Sequence, residues 1–197
     1  MEYRVKKYYL FLLIGAICMI NIACGNTFKY AKYLSKDQEL NIAMDYISDW
    51  QYREYRGDYG TYTSVLFFED KKGDILKAQI AVTVKNRAKI SITPLTVEAL
   101  GEDIIAKRME FADAKLLSKS KFRLLGVKAL SIELSYRTLD KIYSTDAKLI
   151  PARERIIILI KNDKFYMLTY KNSASEFDKF SKAFNHIIKT LKFKDNN

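Results

Sequence analysis

The chain has 197 residues, 49% of them hydrophobic and 29% charged, with a formal net charge of +11. That length leaves room for a real core in one domain of ordinary size. One histidine, with the one cysteine that lies beyond residues 1–23, is too few for the usual zinc site, which takes three or four nitrogen or sulfur ligands.

Residues 1–7 carry Arg4, Lys6 and Lys7, an apolar run spans Tyr8 to Ile20, and Asn21-Ile22-Ala23-Cys24-Gly25 follows. A basic start, a short apolar core and small residues before the cut are the parts of a secretory signal. Cys24 after Ala23 resembles the bacterial lipobox, whose sulfur takes a diacylglycerol, although Asn21 stands where lipoboxes favour Leu. The alternative is an uncleaved helical anchor, but the apolar run is 13 residues against the roughly 20 that cross a bilayer. Either way a folded domain is expected outside the cytoplasm, held to the cell membrane or the outer membrane. The expected organisation is a signal peptide over 1–23, a lipid-anchored tether over 24–34 and a single domain over 35–197. Removing residues 1–23, with Arg4, Lys6, Lys7 and Glu2, lowers the net charge to +9 and leaves Cys24 as the sole cysteine. No intrachain disulfide can then form, and the fold must rest on hydrophobic burial.

Ser35 and Gln38 form a capping-box pair, and Leu40, Ala43, Met44 and Ile47 fall on one helical face, which predicts a first helix closed by Trp50. Residues 50–62 mix aromatic and basic side chains without a period and read as a loop or irregular strand. Tyr62 to Glu69 and Ile75 to Lys85 read as a β-hairpin around the turn Asp70–Asp74. A second helix is expected from Thr93-Pro94 or Thr96, with Val97, Leu100, Ile104 and Ile105 inward and Lys107 and Arg108 at its C-terminal end. Four strands are then expected: Ala114–Arg123, Val127–Arg137, Arg153–Lys161 and Phe165–Lys171. The third is apolar on both faces, as a central strand is, and Asn162-Asp163 marks a tight turn. Residues 138–152 read as the longest irregular connection. A last helix is expected after a capping box at Ser173 and Glu176, with Phe177, Phe180, Phe184, Ile187, Ile188 and Leu191 toward the sheet. The order predicts an α+β fold, an antiparallel β-sheet flanked by helices with the C-terminal amphipathic helix packed on it.

Four stretches carry a family likeness: Ala78–Val84 followed by Leu95–Gly101, Leu125–Tyr136, Asp163–Tyr170, and Ser173–Phe177 before a helix ending Ile188–Phe193. The run from Ile75 to Phe193 resembles the PsbP-like family, named for an extrinsic subunit of oxygen-evolving photosystem II. The resemblance implies a PsbP-like α/β sandwich, and an assembly or accessory role, often as a bacterial lipoprotein. No residue here matches a family metal site, and the first fifty residues after Cys24 have no clear counterpart.

The catalytic inventory is poor. His186 lies inside the last helix and reads as a surface or boundary residue. There is no phosphate-binding glycine loop and no nucleophile elbow. Asp70 and Asp74 flank a turn, but Lys71 and Lys72 within it oppose a cation. Two stretches look suited to binding. Trp50, Tyr52, Arg53, Tyr55, Arg56, Tyr59 and Tyr62 interleave aromatic faces with guanidinium groups. Arg137, Lys141, Tyr143, Lys148 and Arg153 crowd the long connection. Both also read as ordinary packing or solvated surface. The expected function is a non-catalytic binding or accessory module of the bacterial envelope, without metal or cofactor beyond the lipid on Cys24. The alternatives are an electrostatic binder of anionic envelope polymer or lipid, and a Ser/Lys hydrolase. The expected partners are the membrane and an envelope protein or anionic polymer, not nucleic acid.

Overall fold

The alternation of apolar residues along β-branched runs sets most of the architecture. The computed structural model describes residues 28–57, 62–69, 77–86, 88, 90, 95–140 and 145–194. In chain order these form β1 (Tyr30–Leu34), β2 (Ile42–Ile47), β3 (Trp50–Arg56), β4 (Thr63–Glu69), β5 (Gln79–Asn86), α1 (Val97–Met109), β6 (Lys115–Leu124), β7 (Val127–Leu139), β8 (Leu149–Lys161), β9 (Lys164–Ser173), α2 (Phe177–Thr190) and β10 (Lys192–Phe193). A seven-stranded sheet has the order β3-β4-β5-β9-β8-β7-β6, and a small sheet has the order β1-β2-β10. Every pairing in both is antiparallel. Cys24, the Asp70–Asp74 turn, Tyr59, Lys141 and Tyr143 lie outside the described residues.

β8 is an interior strand of the large sheet, and its two faces serve two cores. Ile156 and Ile158 join Leu130, Ile132 and Leu134 of β7 under Val97 and Leu100 of α1. Ile157 and Leu159 face the other way, with Leu168 and Tyr170 of β9 and Ile80 and Val82 of β5. That larger core is closed by Phe177, Phe180, Phe184 and Ile187 of α2 and by Tyr33, Ile42 and Met44 of the small sheet. Two-residue turns join the meander: Leu125-Gly126 (φ 53° and 80°) and Asn162-Asp163 (φ 51° and 54°). Positive φ at both central positions matches the right-handed twist of the flanking strands.

The α1 start is capped by Thr96, whose Oγ1 accepts from Ala99 N at 3.0 Å. One turn on, Gly101 sits against β7, where an added Cβ would overlap Leu130 Cδ2. Replacing Gly101 with Val is therefore expected to cost about 1–3 kcal/mol through overpacking, read as a lower urea midpoint with an unchanged m-value.

The N-terminal region departs from the expected helix. Ser35 is buried and donates its hydroxyl to Asp37 O, while the Asp37 carboxylate accepts from the amides of Glu39 and Leu40. This side-chain turn replaces a helix start. Asn41 follows at φ 42°, and Ile42–Ile47 is a strand. The apolar positions 40, 42 and 44 also satisfy a period of two, and pairing with β1 decides between the patterns. Residues 30–34, expected within the tether, form that β1. Residues 50–56, expected as a loop or irregular strand, form a regular strand. At the C-terminal helix the Ser173–Glu176 capping box does not form, since α2 has no side-chain cap at Glu176 and Ser173 ends β9. Asn172 shapes the turn instead, donating to Glu176 O at 3.1 Å and accepting from Ser173 N at 2.8 Å. The connection expected over 138–152 is shorter, because β7 runs to Leu139 and β8 starts at Leu149.

Candidate functional site

The aromatic and basic stretch at 50–62 is divided by its strand pairing with β4. Register with Phe67 and Val65 puts Trp50, Tyr52, Glu54 and Arg56 on one face, and Gln51, Arg53 and Tyr55 on the other. Trp50 is buried and meets Phe180 at 5.2 Å. Tyr52 packs edge-on to Tyr33 and beside Phe67. Arg56 donates to Asp37 at 2.6 Å. Burial, then the hydrogen bond to Glu54, push the Tyr33 phenol far above its ordinary pKa. Arg53 lies over Phe68, and Tyr55 is exposed. These side chains do not converge on one described surface.

Two residues of the other stretch do converge. Arg137 on β7 and Arg153 on β8 both line a cleft of about 630 Å³ on the sheet face that α2 covers further along. Antiparallel register does this: Ser135 pairs with Arg153 and Arg137 with Pro151, so both arginines share a face. Helix α2 starts only at Phe177, leaving this end of the face open. A register shift between Leu116 and Ser118 irregularly bends the β6 edge, and Leu117 lines the cleft.

Arg153 is held as a wall of this cleft. It donates to Glu133 at 2.5 Å and to Asp178 at 3.2 Å, and its guanidinium lies 4.3 Å above the Phe177 ring. Its buried Nε has no hydrogen-bond partner among the described residues. Arg137 is freer: it donates to Leu149 O at 2.8 Å and lies 3.9 Å from Asp113. Lys115 lines the same cleft and is exposed. The next pair along the face is Leu139 with Leu149, 47% and 46% exposed, and Leu117 is 48% exposed. Cations beside an open apolar rim suit a ligand segment that carries an acid next to apolar groups.

The opposite face holds an ion cluster that sequence spacing did not reveal. Glu154 is 2% exposed and accepts from Arg108 at 2.7 and 3.1 Å and from the Tyr136 hydroxyl at 3.1 Å. Lys171 Nζ lies 5.3 Å from the Tyr136 ring centroid. Burial lowers the Lys171 pKa, against the pull of Glu154; burial and Glu154 raise that of Tyr136. The only sequence signal was a single Glu in an apolar strand. The cluster is closed and ties α1 to β8. His186 Nε2 meets Asp45 at 2.9 Å and stacks on Tyr30, so it joins α2 to the small sheet. Among the described residues no three His, Cys, Asp or Glu side chains are grouped to hold a metal.

The chain matches no protein-family profile, and no curated protein resembles it in sequence. Solved structures do resemble it in fold. Cyanobacterial PsbP (CyanoP) from Synechocystis sp. PCC 6803 superposes with a TM-score of 0.56 at 12% identity, over 87% of this chain and 97% of that one. The fold is PsbP-like. LpqN, described as involved in cell envelope biogenesis of Mycobacterium tuberculosis, gives a TM-score of 0.52 at 12% identity over 86% and 92% of the two chains. The Saccharomyces cerevisiae Ran-binding protein Mog1p gives 0.55 at 8% identity over 86% and 97%. The PsbP-like likeness thus extends beyond residues 75–193, where the sequence motifs lie. The C-terminal helix packs on the sheet, as its apolar stripe predicted.

Proposed function

We propose that this protein is a membrane-tethered, extracytoplasmic binding or accessory module of the bacterial envelope, lipidated at Cys24 and without catalysis of its own. Its contact with a protein partner is the cleft between Arg137 and Arg153. The convergence of those arginines with the exposed leucines carries the reading. The PsbP-like neighbours support it in kind, since one is a Ran-binding protein and another is involved in envelope biogenesis.

Cross-linking in native cells, then purification from membranes and mass spectrometry, tests it. One dominant partner is expected. Arg137→Glu, and separately Leu149→Asp, should reduce its capture by about tenfold or more, because each removes one kind of complementarity. Both positions are exposed, so melting should shift little. Capture unchanged by both variants would remove the cleft from the proposal. Capture of an anionic polymer instead, lost steeply as salt rises, would favour the electrostatic reading that the +9 charge motivates. Acylation is checked by the intact mass of the membrane-extracted chain, against Cys24→Ser.

A further inference from the structure

A second concavity, about 690 Å³, lies at the C-terminal end of α2, between that helix and the small sheet. Three elements place a lysine on it: Lys32 from β1, Lys192 from β10 and Lys189 from the last turn of α2. Strand order explains the first two. β2 lies between β1 and β10, with Lys32 opposite Asp45 and Lys192 opposite Ala43, so the two lysines flank β2. Among the described residues none of the three makes an ion pair. The acid here, Asp45, is already engaged by His186, and its amide donates to Thr190 Oγ1 at 3.1 Å. Three cations outweigh that carboxylate and the partial charge of about −0.5 at a helix C-terminus. Lys182, seven residues before Lys189, is exposed on the same stripe of α2. At the rim Leu34 is 60% exposed, more than any other large apolar side chain described.

We propose that this groove is the surface by which the protein lies on an anionic phospholipid bilayer. Clustered lysines with a protruding apolar side chain fit the headgroup layer, where cations gather against acidic lipid and a leucine reaches the acyl boundary. The path of the chain agrees. β1 runs alongside α2, with Phe28 against Phe180, Tyr30 on His186 and Lys32 beside Thr190. Phe28 comes four residues after Cys24, a reach of about 14 Å. An anchor there holds this flank near the bilayer. The orientation, though not the lysine contact itself, rests on the tether reading of Cys24.

The test uses the full chain in vesicles of phosphatidylcholine alone, or of phosphatidylcholine with phosphatidylglycerol. Surface lysines are acylated by a water-soluble reagent and read by mass spectrometry. On the anionic vesicles, labelling of Lys32, Lys189 and Lys192 should slow about tenfold, reverting in high salt, while Lys115 labels equally on both. In the Lys32→Glu/Lys189→Glu/Lys192→Glu variant the protection of Lys182 should vanish. Equal labelling on both vesicle types would overturn the proposal. So would protection by soluble polyphosphate with none by vesicles. Intact mass of the same samples reports Cys24 acylation separately: an unacylated chain that is still protected defeats the tether reading and upholds the lipid contact.

Discussion

Replacing Arg108 with Met is expected to destabilise the protein by about 3–5 kcal/mol, the usual cost of stranding one partner of a buried ion pair. Glu154 is 2% exposed and takes two of its hydrogen bonds from that guanidinium. After the change it keeps only the Tyr136 hydroxyl and the neighbouring Lys171, whose own charge burial already disfavours. The loss should appear as a fall of about 6–20 °C in melting temperature for a domain of this size. A double variant, Arg108→Met with Glu154→Leu, removes the stranded charge and should recover most of the deficit. If it recovers nothing, the cost lies in packing of the Arg108 stem near Phe111, 5.6 Å from its guanidinium.

The consequence for function is local. Arg108 is in the last turn of α1, and the segment after it closes on the sheet through Arg137 N to Ala112 O at 2.7 Å. Asp113, in the same segment, lines the cleft. Loosening α1 therefore loosens one wall of the proposed partner site. Partner capture should fall in this variant even though no contact residue changes. The double variant should restore it.

Which parts were legible follows from how local their cause is. Ile156 to Ile160 reads as a strand buried on both faces because every residue of the run is apolar, and β8 lies in the interior of the sheet. The stripe from Phe177 to Ile188 reads as a helix because six side chains share one face. Residues 35–47 fit two periods, and the choice was made by β1 and by the Asp37 turn, which spacing alone does not show. Composition misdirected attention at 50–62, since a paired strand sends alternate residues to opposite faces and turned Trp50 into core. Arg137 and Arg153 were placed at the ends of a long loop. They meet because β7 and β8 extend further than expected and pair in register. Arg108 and Glu154 are 46 residues apart, so nothing local announces their contact.

Phe184→Ala is expected to cost about 3–5 kcal/mol, because the ring is fully buried and the space it leaves is walled by strands that cannot collapse into it. Tyr170 lies 5.5 Å from it, and Tyr170 in turn donates its hydroxyl to Phe177 O at 2.5 Å. The same helix carries Asp178, which steadies Arg153 at the cleft, and Lys189, which lines the lysine groove. A helix of 14 residues spans about 21 Å, so the two proposed surfaces sit near opposite ends of one element. Arg137→Glu should weaken partner capture alone, and Lys189→Glu should weaken lipid protection alone. Phe184→Ala should weaken both together at temperatures where α2 is loosened, and neither well below its melting point. Lys182→Ala, on the exposed stripe of α2, should melt as the parent does. Loss of one function without the other in Phe184→Ala would mean that α2 does not hold the two surfaces in common.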